Sequence, residues 1–125
     1  MVSCRTRNIM EDVQTIDTET LKKHIDDGTA AVVEVLMPNE YEKGHLPGAI
    51  HIHFATIGSR VRALYPKEQM IVTYCHNEKC RAGRIAAAKL RSLGYTNAYY
   101  YSGGKDGWTR AGYSLEVGPS LAGKE

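Results

Sequence analysis

The stretch "MIVTYCHNEKCRAGRIAAAKL", residues 70–90, decides how this chain folds. Its first six residues, ending at Cys75, form a continuous apolar run with β-branched residues, the pattern of a strand buried on both faces. From Arg81 onward the sequence is alanine-rich and amphipathic at helical spacing. A short polar loop joins the two. A parallel strand that ends in a thiol and turns into a helix brings that thiol to the helix N-terminus, where backbone N–H groups lack internal partners and the macrodipole is positive. A thiolate is stabilised there, and the same donors can cradle an anion. Arg81 and Lys79 add positive charge, which is expected to lower the Cys75 pKa further and to hold a charged substrate group.

Working outward, strands and helices alternate along the whole chain. "DVQTID" reads as a short first strand, and Asp17 is placed to cap a helix through "TETLKKHIDD" that stops at Gly28. "AAVVEVL" is a second buried strand, and Pro38 opens a short helix, "PNEYEKG", that Gly44 ends. "AIHIHF" is a brief third strand, followed by a helix over "TIGSRVRALY" with apolar positions three and four apart. After the strand ending at Cys75 and the helix "RAGRIAAAKLRSLG", "NAYYY" supplies a fifth strand before "SGGKDGWTRAGY". This order predicts an α/β sandwich: a five-stranded, mainly parallel sheet with helices on both faces and functional residues at the carboxyl ends of its strands.

With 125 residues the chain is read as one domain, 1–125, with its core over about 12–117. The 42% apolar and 24% charged fractions are those of an ordinary globular protein. No apolar run approaches the roughly 20 residues of a membrane helix, and "MVSCRTRNIM" lacks a signal-peptide core. A cytoplasmic location and no membrane partner are expected. A net charge of +2, with basic and acidic residues interspersed, argues against a nucleic-acid surface. Cys4, Cys75 and Cys80 are an odd number, so a full disulfide framework is not expected. The first ten residues and the tail "GPSLAGKE" are the expected loose ends.

Three ordered blocks, "VVEVLMPNEYEKGHLPGAIHI", "IVTYCHNEKCRAGRIAAAKLRSLGY" and "YYYSGGKDGW", together resemble the rhodanese homology domain. The resemblance implies a rhodanese-like three-layer fold and a catalytic cysteine at the end of the fourth strand, here Cys75. It implies a sulfurtransferase that moves a sulfane sulfur through a cysteine persulfide. Donors would be thiosulfate, polysulfide or a persulfide, and acceptors cyanide or a thiol, including a protein thiol. The loop after Cys75, with His76, Asn77, Glu78, Lys79, Cys80 and Arg81, is carried over as the substrate cradle. No cofactor and no metal are implied. The resemblance departs at Glu34 and Leu36, where the family commonly has Asp and then Arg. It departs again in loop length: five residues separate Cys75 from Arg81, giving a seven-residue loop like that of the phosphatase and arsenate reductase branch. A bacterial rhodanese subgroup with a second cysteine at the place of Cys80 looks similar too.

Several residues carry competing readings. Cys80 is a packing residue, or a resolving partner for Cys75. Zinc at "CHNEKC" lacks a second ligand pair. His45 in "GHLPGA" is expected to tie the turn before the third strand, not to act as a base. His24, His51 and His53 read as ordinary helix and strand residues. His76 either contacts substrate or is simply exposed. "AYYY" reads as alternating positions of an edge strand, and Trp108 as a core anchor on the last helix. Three functions follow: a sulfurtransferase, a phosphatase or arsenate reductase gripping a tetrahedral anion with Arg81, and a non-catalytic sulfur-relay module.

Overall fold

The computed structural model describes residues 13–118, so Cys4, Asp12 and most of the "GPSLAGKE" tail lie outside the described residues. In chain order the elements are β1 (Gln14–Thr15), α1 (Thr18–Asp27), β2 (Ala30–Glu34), α2 (Pro38–Lys43), β3 (Ile50–His51), a 3₁₀ turn (Phe54–Thr56), α3 (Ile57–Leu64), β4 (Met70–Tyr74), α4 (Ala82–Ser92), β5 (Ala98–Tyr100) and α5 (Gly104–Arg110). Local signals act where expected. The Asp17 carboxylate accepts the Thr20 N–H at 2.8 Å at the start of α1. Gly28, at φ 71°, ends that helix in the left-handed conformation glycine adopts without strain. Pro38 occupies the first turn of α2.

The five strands pair only in parallel, in the order β1-β5-β4-β2-β3. Two apolar layers sandwich them. On one face Val33, Ile71, Cys75 and Ala98 meet Ile57 and Val61 of α3 and Ala86 and Leu90 of α4. On the other, Val32, Val72 and Tyr74 meet Leu21 of α1, Tyr41 of α2 and Trp108 of α5. Complete burial of one such aliphatic side chain stabilises the fold by about 1.5–3 kcal/mol. Trp108 is fully buried, as the sequence predicts, and its indole N–H donates to the Ser114 carbonyl at 3.0 Å.

One strand placement differs from expectation. "NAYYY" predicts an edge strand, yet β5 lies between β1 and β4, and Tyr100 and Tyr101 are buried. The two-residue β1 takes the edge because the start of the chain returns to pair Gln14 with Tyr99 and Thr15 with Tyr100. That pairing spans most of the chain and leaves no local trace.

From β2 the chain steps outward to β3, and from β4 it steps the other way to β5. Helix α2 leaves β2 over one face, while α4 leaves β4 over the other. The carboxyl ends of β2 and β4 therefore flank a topological switch point, where open α/β sheets form their binding crevices. Cys75 and Glu34 both stand there.

Candidate active site

Cys75 follows β4 directly and is 1% exposed. Gly83, in the first turn of α4, directs its backbone N–H at the Cys75 sulfur at 3.4 Å, so the helix start does reach the thiol. Such closeness requires glycine. A Cβ at Gly83 would stand 2.9 Å from the Tyr100 ring and 3.1 Å from the Tyr74 backbone. The Thr73 hydroxyl fixes the same point, donating to the Gly83 carbonyl at 2.8 Å.

The loop closes over the sulfur. Cys75 Sγ donates to the Cys80 carbonyl at 3.1 Å, Cys80 N–H donates to the Asn77 carbonyl at 3.1 Å, and Lys79 N–H donates to Asn77 Oδ1 at 2.9 Å. Asn77 Nδ2 reaches Asp106 Oδ2 at 2.8 Å, and His76 Nε2 lies 3.5 Å from Glu40 Oε1. Cys75 and Cys80 are both free thiols, and Cys80 packs against the apolar cluster around Cys75. The cradle residues thus divide. Cys75, His76, Asn77 and Cys80 are brought together, whereas Glu78, Lys79 and Arg81 are exposed. Arg81 occupies the N-cap position of α4 without a side-chain cap bond.

This geometry overturns one expectation. Arg81 and Lys79 predict a lowered thiol pKa, but the Cys75 pKa is raised from 9.0 to about 12. Burial is the largest cause, and the hydrogen bond to Cys80 adds to it by holding the proton on sulfur. The N–H groups of Gly83 and His76 oppose the rise without offsetting it. The two cations point to solvent, where their influence on a buried sulfur is screened.

The opposite face of the same crevice holds residues the sequence reading did not assign to the site. Glu34 is 0% exposed and Lys105 8% exposed, with Nζ 3.0 Å from Glu34 Oε2. Tyr74 donates its hydroxyl proton to Glu34 Oε1 at 2.8 Å and accepts the Leu46 N–H at 3.0 Å. Burial pushes the Glu34 carboxyl above its ordinary range, against the lowering effect of Lys105 and Tyr74. Lys105 and Asp106 stand in the block "YYYSGGKDGW", after the Gly103–Gly104 pair that follows β5, where the resemblance gives them no role. His45 is buried and structural, as expected: its ring stacks on Tyr41 at 3.8 Å and its Nδ1 lies 2.9 Å from the Tyr41 carbonyl. Among the described residues no group of three or more His, Cys, Asp or Glu could hold a metal ion, and no helix is long and apolar enough to cross a membrane.

A crevice at the switch point, with a single buried thiol capped by a helix start, matches a known family in sequence as well. Residues 17–111 fit the family described as the rhodanese-like domain. The chain belongs to that family. Among solved structures, the rhodanese-like chain is similar to the BH2092 protein of Bacillus halodurans, with 28% identity, 86% of this chain and 79% of that chain covered, and a TM-score of 0.77. It is also similar to the human single-domain sulfurtransferase TSTD1, at 27% identity over 78% of this chain and 96% of that chain, with a TM-score of 0.68. A Rhodopseudomonas palustris protein, RPA3614, described as of unknown function and a possible tyrosine phosphatase, shares the fold at 22% identity over 89% of this chain and 96% of that chain, with a TM-score of 0.73.

Proposed function

We propose that this rhodanese-like domain is a cytoplasmic sulfurtransferase that carries a sulfane sulfur as a persulfide on Cys75. The observation that carries the reading is the placement of the Cys75 sulfur at the switch point with the Gly83 N–H at 3.4 Å, within a family that includes a similar sulfurtransferase. With Cys75 1% exposed and bonded to the Cys80 carbonyl, the resting state is a closed, neutral thiol. Turnover begins when the loop opens and the thiol loses its proton to solvent. The thiolate then attacks the sulfane sulfur of thiosulfate, polysulfide or a persulfide. A new S–S bond forms at Cys75, the donor's S–S bond breaks, and sulfite, a shortened polysulfide or a thiolate departs with the electron pair. An acceptor thiolate, small or on a protein, or cyanide then attacks the outer sulfur and releases Cys75 as thiolate. Loop N–H groups stabilise the anionic persulfide between the two halves, and the kinetics are ping-pong.

Mass spectrometry tests this directly. Protein treated with each donor is expected to gain the mass of one sulfur atom on Cys75, reversed by an acceptor thiol, and Cys75→Ser is expected to gain none. Absence of the adduct with every donor class ends the reading.

One observation favours a second reading, phosphate or arsenate chemistry: the seven-residue span from Cys75 to Arg81. Against it, Arg81 is exposed, and so is Glu78, the loop's own candidate acid. A burst of phenol from an aryl phosphate, lost in Cys75→Ser, selects that reading.

A further inference from the structure

The amino end of α5 is tied to the backbone of the nucleophile. Lys105 N–H donates to the Cys75 carbonyl at 3.1 Å, and Asp106 N–H donates to the His76 carbonyl at 3.0 Å. Gly104, at φ 59°, makes the approach possible, since any Cβ there would run into the carbonyls of Cys75 and His76. In a planar trans peptide the carbonyl and the following N–H point in opposite directions. Pinning the Cys75 carbonyl towards α5 therefore turns the His76 N–H the other way, towards the sulfur, and this N–H is among the groups that hold the thiol pKa down. Pinning the His76 carbonyl turns the Asn77 N–H away from α5 in the same way. The polarity of the cradle is set from outside it.

Besides the buried Trp108, the Lys105 side chain ties α5 in that position. Its ammonium crosses to the other side of the crevice, bonding the Glu40 carbonyl of α2 at 2.6 Å and forming an ion pair with the Glu34 carboxylate at the end of β2, Nζ to Oε2 3.0 Å. Both partners are distant in sequence, so one ammonium ties three segments, and the backbone of the same residue holds the nucleophile. We propose that Lys105 is a positioning residue: its ion pair with Glu34 locks α5 against the Cys75 carbonyl, so that the loop N–H groups face the sulfur and whatever anion it carries. This rests on Cys75 being the reactive group.

The test is the double variant Glu34→Gln/Lys105→Met, which removes both buried charges together and leaves neither uncompensated. Cys75 alkylation by iodoacetate and by iodoacetamide is followed at one pH, with the peptide carrying Cys75 read by mass. Both reagents consume the same thiolate, so their rate ratio cancels the thiol's ionisation and reports only how well the loop receives an anion. Loss of an inward N–H donor to a charged group is expected to lower the iodoacetate-to-iodoacetamide ratio about tenfold. An unchanged ratio in the folded double variant overturns the proposal, because a merely structural ion pair moves stability and not this ratio. If the double variant does not fold, hydrogen exchange in the unaltered protein decides. Slow exchange of both the Lys105 and Asp106 amides supports the lock, and exchange at the rate of open loop amides overturns it. A normal ratio in a protein that never takes up sulfur counts against the sulfurtransferase reading and leaves the lock standing.

Discussion

At the carboxyl ends of β4 and β2, Cys75 and Glu34 are both buried ionisable groups at one crevice, on opposite faces of one sheet. Burial raises both pKa values and is the largest cause in each case. They differ in what opposes it. Glu34 has an ammonium at 3.0 Å and a tyrosine hydroxyl at 2.8 Å, so its charge is compensated. Cys75 has only backbone N–H groups, and its proton is engaged by the Cys80 carbonyl. One side of the crevice is a charge-paired anchor, and the other is a neutral thiol closed over by its loop. Lys79 and Arg81 teach the complementary point. Neighbours in sequence, they lie in solvent and do not act as the counter-charge that Lys105, thirty residues from Cys75 in sequence, provides for Glu34.

The sharpest break of this contrast is removal of the anchor's cation alone. Lys105→Ala leaves Glu34 buried and uncompensated, and urea unfolding at neutral pH is expected to show a loss of about 3–5 kcal/mol. Because the Glu34 pKa already lies above its ordinary value of 4.5 in the folded protein, folding takes up a proton at this site. Its contribution therefore favours folding below about pH 4.5 and fades as pH rises through the raised value. The damage from Lys105→Ala should shrink on acidification, as Glu34 becomes neutral; equal damage at all pH values argues that the pair is not charged.

The thiol side is expected to show its opposite character in alkylation. A pKa moved from 9.0 to about 12 leaves roughly a thousandfold less thiolate at neutral pH than an ordinary cysteine has. Iodoacetamide should label Cys75 slowly in the free protein, with a rate still climbing above pH 10. A plateau near pH 8 would show that the loop opens readily without substrate. The folded protein resists ionisation here, so this group's stabilising contribution is present below pH 9 and lost as pH climbs towards 12. Cys75→Ala should remove that alkaline slope.

Smaller effects refine the comparison. Tyr74→Phe strips one hydrogen bond from Glu34 and leaves the buried Leu46 N–H without its acceptor, for an expected loss of about 1–3 kcal/mol in chemical unfolding. Asn77→Ala breaks the exposed tie to Asp106, and an effect of about 0.5–1 kcal/mol or less is expected. It should loosen the loop enough to speed Cys75 alkylation while barely moving the midpoint of unfolding.

The alternation of strands and helices, the Asp17 cap, the Gly28 stop and the thiol at a strand end could all be read from residues close together in the chain, because periodicity, capping and turn chemistry are local. The family could be read in the same way, since its blocks are short contiguous motifs. The order of strands could not. β5 became an inner strand only because β1, more than eighty residues earlier, returned to pair with it. The thiol's ionisation departs from what its neighbours predict for a related reason: charge is written in the sequence, but whether it reaches a sulfur depends on burial and on where the side chain points. The Glu34–Lys105 pair joins positions seventy-one residues apart, neither of which marks the other locally. Sequence alone determined where the Cys75 sulfur stands and which helix begins beside it. Tertiary structure alone decided that the sulfur rests neutral, and which distant lysine anchors the backbone that faces it, because the interactions responsible act through space between segments that the chain brings together only on folding.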